Sequence, residues 1–218
     1  MKKHTIISVA AVVLAVTGTL CWFLNRSEPG RDMLQVGNEA LLAGEWGQAA
    51  EAFATGLESQ PENKELLFAR AAALLAKAKD SYNLAAASAS QGEQTRAEQE
   101  VAKADDGFTA ARRDAERILE LDPGFYQADY LLGCIDVYQG QWFAAIDRFT
   151  QVIKSAPEYA PAWQRRGEVY SQIGDVANAI LDLKKAAALG YTNGAAGQDE
   201  PHADTPADAV DAFDSVKP

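Results

Sequence analysis

Three prolines divide the chain into repeating units. Pro61, Pro123 and Pro157 each close an apolar stretch of helical spacing, in Gln60-Pro61, Leu121-Asp122-Pro123 and Ala156-Pro157, and proline cannot continue a helix interior. The last interval is 34 residues and the first is 62, one period with 28 residues added. The residues ahead of each proline repeat as well. Gly37, Gly44, Trp46, Ala49, Phe53 and Gly56 precede Pro61 as Gly133, Gly140, Trp142, Ala145, Phe149 and Val152 precede Pro157. A further copy runs Trp163, Gly167, Tyr170, Gly174, Val176, Ala179, Leu183 and Ala186. Alanine, the best helix former, is the commonest residue. Such a period marks units that each leave apolar surface for a neighbour to cover, and therefore stack.

Gly37, Gly133 and Gly167 fall mid-helix, where glycine costs about 1 kcal/mol relative to alanine. That cost is tolerable where two helices approach closely. Ala49, Ala145 and Ala179 are expected to fill the matching place on the second helix, with Trp46, Trp142, Phe53 and Phe149 beside them and Gly44, Gly140 and Gly174 in the interhelix turns. In this spacing the chain resembles the tetratricopeptide repeat family, W-x2-L-G-x2-Y followed by G-x-[YFW]-x2-A-x3-F-x2-A-x4-P. The resemblance implies an all-α fold, a solenoid of helical hairpins, with units at 30–63, 64–125, 126–159 and 160–191.

The second unit carries the extra 28 residues, which placed symmetrically occupy 78–105 with Gly92 at the midpoint. Ser88, Ser90 and Gln91 beside Gly92 read as a turn. After it, Ala97, Val101, Ala104, Phe108, Ala111 and Ala115 step by four and three, the spacing of a heptad seam; before it, Ala71, Leu74, Ala78, Tyr82, Ala85 and Ala89 form a comparable stripe. The expectation is two long antiparallel helices, about 64–90 and 93–121, projecting as one elongated hairpin. The rival is a break at Asp105-Asp106-Gly107.

Residues 1–29 read as a cytoplasmic stub, a single transmembrane helix and a short linker. From Thr5 to Leu24 there are 20 uncharged residues, enough at 1.5 Å per residue to cross about 30 Å of hydrocarbon. A signal peptide cleaved near Gly18 is the competitor, but the apolar run continues through Leu20, Cys21, Trp22, Phe23 and Leu24. Lipidation at Cys21 is disfavoured by Thr19 and Leu20. Lys2 and Lys3 against the balanced Arg26, Glu28, Arg31 and Asp32 place the N-terminus in the cytoplasm. The chain is then a single-pass protein of a bacterial inner membrane with periplasmic or extracytoplasmic repeats.

The family resemblance also implies a concave surface made by the first helix of each unit. Carried onto this chain it contains Leu34, Asn38, Leu41 and Leu42, then Phe68, Ala72, Leu75 and Ala76, then Tyr130, Cys134, Val137 and Tyr138, and finally Gln164, Glu168, Ser171 and Gln172. This apolar and aromatic groove suits an amphipathic helix or apolar peptide, unless much of it is packed between helices. Some relatives grip a C-terminal carboxylate, and Asn38 and Arg165 fit that pattern, but Leu34 stands where a lysine is needed. Asp129 and Asp136 replace the family's Trp and Tyr in the third unit and read as solvated or arginine-paired acids. Residues 192–218 form an acidic tail expected to be mostly disordered. Within it Thr205-Pro206-Ala207-Asp208 resembles a capping box leading into Val210, Phe213 and Val216, a short recognition helix or an end cap for the solenoid.

Thirty-one acidic against 20 basic residues, net −11 and pI about 4.6, exclude a general nucleic-acid surface, which needs clustered Lys and Arg. The histidines are His4 and His202 and the cysteines Cys21 and Cys134. Neither set supplies a metal cluster, a disulfide framework or a nucleophile-base pair. The expectation is a protein without cofactor, metal or small-molecule substrate: a non-enzymatic adaptor that holds a protein partner during assembly of an envelope complex of the c-type cytochrome, pilus or secretion kind. The alternative is a structural subunit built permanently into an oligomer or filament through the long hairpin.

Overall fold

The computed structural model describes residues 29–191, and among them eight α-helices and no strand. They are α1 Pro29–Leu42, α2 Trp46–Ser59, α3 Lys64–Ser90, α4 Gln94–Leu121, α5 Tyr126–Tyr138, α6 Trp142–Ser155, α7 Ala160–Gln172 and α8 Val176–Ala188. Consecutive helices pair antiparallel, and the pairs stack in chain order. No described helix is long and apolar enough to cross a membrane. The anchor expected over residues 5–24 and the tail segment with Val210, Phe213 and Val216 lie outside the described residues.

The turn inside every pair is the same device. Gly44, Gly92, Gly140 and Gly174 take left-handed φ angles between 68° and 83°, which a side chain would strain. The next residue's N–H closes back on a carbonyl five positions earlier, Glu45 to Ala40 at 2.9 Å, Glu93 to Ser88 at 2.9 Å, Gln141 to Asp136 at 2.8 Å and Asp175 to Tyr170 at 2.9 Å. These are Schellman closures. Asn63 caps α3 by accepting from the N–H groups of Glu65 and Leu66.

The mid-helix glycines make notches, with an occupant other than the expected one. A Cβ on Gly133 would meet the Phe149 ring at 2.6 Å, and one on Gly37 would overlap Phe53. In the last unit Leu183 stands over Gly167. Ala145, expected against the Gly133 helix, is fully buried, but the ring one turn farther along fills the notch. A large side chain reaches across the helix pair where alanine cannot.

α3 and α4 have 27 and 28 residues, about 40 Å each, roughly twice their neighbours, and project beyond the stack. α4 runs unbroken through Asp105-Asp106-Gly107. Gly107 is a contact residue: a Cβ there would lie 2.8 Å from that of Ala78. Ala78, Ala85, Ser88, Ala97, Glu100, Ala104, Phe108 and Ala111 are buried in this hairpin. Tyr82, Ala89 and Val101, expected in the seam, are exposed. The helices turn slightly relative to a strict heptad, so Ser88 and Glu100 occupy inner places instead.

Candidate functional site

The expected groove is largely filled by its own side chains. Leu41, Phe68, Leu75, Tyr130, Cys134 and Gln164 are buried, as are Ala72 and Ala76. Phe68 lies edge-on to Phe125 at 5.7 Å. Tyr130 meets Phe149 at 5.7 Å and Tyr159 at 5.3 Å. Gln164 donates to Glu168 at 2.8 Å. These residues are therefore packed among the helices and do not themselves offer a contact surface. Large side chains at these positions reach the neighbouring helices, so most of the groove is packed. What remains accessible is Asn38, Leu42, Ser171 and Gln172, with Leu34, Val137, Tyr138 and Glu168 half-buried.

Around α5 and α7 this side becomes polar. Burial by itself would lower the pKa of the Arg165 guanidinium, but Tyr130, Cys134 and Glu168 outweigh it and hold the group well above the usual arginine value. Arg165 also pairs with Glu168 at 3.2 Å. Burial pushes the Tyr138 phenol up to about 12. Cys134 is a buried free thiol. Among the described residues no group of His, Cys, Asp and Glu could hold a metal ion.

The acids of the third unit are paired. Arg166 of α7 makes a bidentate bond to Asp182 of α8 at 2.7 and 2.9 Å and lies over Trp163 and Tyr170. One unit earlier these four places hold Leu132, Arg148, Asp129 and Asp136. The charges have changed places: Arg148 on the second helix now donates to Asp129 on the first at 2.8 Å. Asp136, 2% exposed, accepts from Arg112 of the hairpin at 2.6 Å. The third unit is thereby tied to α4 of the second by a buried ion pair.

The projection presents a second surface. Tyr82, Ala85, Ala86 and Ala89 of α3 face Gln94, Ala97, Glu98 and Val101 of α4 across a shallow groove of about 410 Å³. Tyr82 packs edge-on to Tyr138 at 5.8 Å, and Tyr138 stacks on Phe108 at 5.4 Å, so this groove meets the concave side at Tyr138. From Ser81 to Gly92 the chain carries no charge, although Tyr82, Leu84, Ala86, Ala87 and Ala89 are exposed. Reading the stripe only as a seam hid this flank; the uncharged run around an exposed projection was its signal.

The profile of the tetratricopeptide repeat matches residues 34–81 and 130–195, together more than half of the chain. The gap between the matches holds most of the projection. A Tetratricopeptide repeat and J domain-containing co-chaperone DNJ1 from Cryptococcus neoformans var. grubii is 31% identical over 81 residues, 37% of this chain and 16% of that protein. The chain thus spans about a sixth of that relative. Among solved structures, the MamA RS-1 ArsTM double mutant superposes with a TM-score of 0.56 at 15% identity, over 84% of this chain and 96% of that one. MamA 41-end from Desulfovibrio magneticus RS-1 gives 0.39 at 16% identity, over 80% and 99%. The first likeness concerns the fold alone, and the second is too distant to carry an inference.

Proposed function

The chain belongs to the tetratricopeptide repeat family, and from that membership we propose that it is a non-enzymatic, membrane-anchored scaffold that holds a protein partner during assembly of an envelope complex. Residues 5–24 are the anchor, the N-terminus is cytoplasmic and the repeats stand outside the cytoplasm. The observation that carries the binding role is the groove on the hairpin flank, lined on the α3 side by Tyr82, Ala85, Ala86 and Ala89 and on the α4 side by Ala97 and Val101 with Gln94 and Glu98 at its edge, open beside Tyr138. It fits the apolar face of an amphipathic helix. The relative that matches a part of this chain is named a co-chaperone. Photo-crosslinking residues placed at Ala86 and Val101 in native membranes, followed by mass spectrometry, test the reading. One protein captured from both sites, and absent when the residue is moved to the exposed Asp147, is the expected result; equal yields from all three sites overturn the assignment.

The uncharged run Ser81–Gly92 also favours a second reading, a structural subunit built permanently into an oligomer through the hairpin. A permanent subunit sediments as an oligomer after extraction, whereas an adaptor sediments as a monomer.

A further inference from the structure

The last helix is finished on one side only. Within the stack, the second helix of each earlier unit is covered by the first helix of the next, and Trp46 of α2 donates to Asp80 of α3 at 2.8 Å across that junction. Positions equivalent to Ile180 are Ala50, buried, and Ile146, half-buried against the core. Those equivalent to Val176 are Trp46 and Trp142, both partly buried against the core. On α8, where no described helix follows, Val176 is 62% and Ile180 46% exposed. Beside them Leu181 is 65% exposed, at the place where the first and third units carry Glu51 and Asp147. An apolar residue there has no use facing water.

We propose that residues 205–217 of this same chain dock as a helix on the open face of α8, setting Val210, Phe213 and Val216 against Val176, Ile180 and Leu181 and closing the solenoid. The tail follows α8 directly. Residues 192–204 can span about 40 Å when extended, twice the roughly 20 Å length of α8. On a helical projection Val210, Phe213 and Val216 fall on one side with Ala209 and Ala212, and Asp208, Asp211 and Asp214 on the other. With the apolar side against α8, those acids face water. Attachment also gives the tail an effective concentration of about millimolar, an advantage over a second copy stacking end to end through the exposed Val36 and Leu42 of α1. The cap keeps the end of a lone molecule from becoming a polymerisation surface.

Amide hydrogen exchange across Val176–Ala188 in the full chain is the test, with Val210→Asp/Phe213→Asp as the uncapped variant. Exchange in α8 should become about tenfold faster in the variant, with the α3 and α4 amides unchanged, and the parent's protection should be the same at high and low protein concentration. Equal α8 rates in parent and variant overturn the proposal. Protection that grows with concentration and disappears in Leu42→Asp overturns it in favour of a second copy. Leu181→Glu supplies an independent check on the other surface: it restores the acid of the other units and should speed α8 exchange in the parent background but not in the variant, and an equal effect in both contradicts the contact.

Discussion

At the scale of single residues the chain shows how a repeat tolerates departures from its own pattern. Asp129 and Asp136 look anomalous until Arg148 and Arg112 are placed beside them; arginine pairing was one of the two readings open to the sequence, which did not name the partners, Arg112 lying on α4 of the preceding unit. The glycines were legible as contact residues, but their occupants, Phe53 and Phe149, were assigned to the space alongside. The buried Asp136 is the more consequential case. Removing its partner by Arg112→Met should destabilise the protein by about 3–5 kcal/mol, because an uncompensated carboxylate remains inside. Arg112→Met/Asp136→Asn should recover most of that loss in urea denaturation. Equal costs for the single and double variants would show that Arg112 acts through packing.

Tyr138 offers a second residue-level measurement. Desolvation raises its phenol from an ordinary value of 10.0 to about 12, so the folded state holds its proton after the unfolded state has lost it. The resulting stability is fully present below pH 10 and is lost as pH rises through about 12. Stability should therefore fall across that interval, and Tyr138→Phe should flatten the fall. An unchanged alkaline slope in Tyr138→Phe would place Tyr138 in a wetter setting than its stacking on Phe108 implies.

At the scale of elements, the long hairpin was legible nearly to its ends. The expected helices over 64–90 and 93–121 compare with Lys64–Ser90 and Gln94–Leu121. The arithmetic of the insertion explains why it does not disturb the repeat: 28 residues shared by two helices add 14 to each, about 3.9 turns, which brings every face back to within about 40° of its original direction. The flank groove was less legible, because a four-three step pattern cannot tell an inner residue from one slightly off the seam, and Tyr82 and Val101 fell on the open side. Deleting Ala78–Asp105 should leave the solenoid folded, with Lys77 joined to Asp106-Gly107. Ala71, Phe108, Ala111, Ala115 and the Arg70–Asp114 pair, bidentate at 2.7 and 2.6 Å, all survive. The thermal midpoint should drop by several degrees for the loss of the Tyr82–Tyr138 contact and of the Trp46–Asp80 hydrogen bond, about 1 kcal/mol each. An unfolded product by circular dichroism would make the projection part of the core. A folded product that retains its partner would move binding from the flank to the groove or the tail.

At the scale of the whole molecule, the fold was readable because its period is written in glycines, tryptophans and prolines; the partner was not, because an apolar groove specifies the chemistry of its occupant and leaves the identity open. If the proposed anchor crosses a bilayer, its length sets the position of the repeats: 20 residues at helical rise cover about 30 Å, and α1 begins at Pro29, with four residues between it and Leu24. An uncleaved anchor would then hold the first repeat within about 15 Å of the bilayer surface, and the hairpin, in the next unit, within reach of a membrane-proximal partner. Cleavage near Gly18 would release the repeats and remove that restriction. The intact mass of detergent-extracted protein decides between them. Retention of residues 1–24 is the expected outcome; a chain that starts near Thr19 would leave a freely diffusing scaffold whose partner need not lie at the membrane at all.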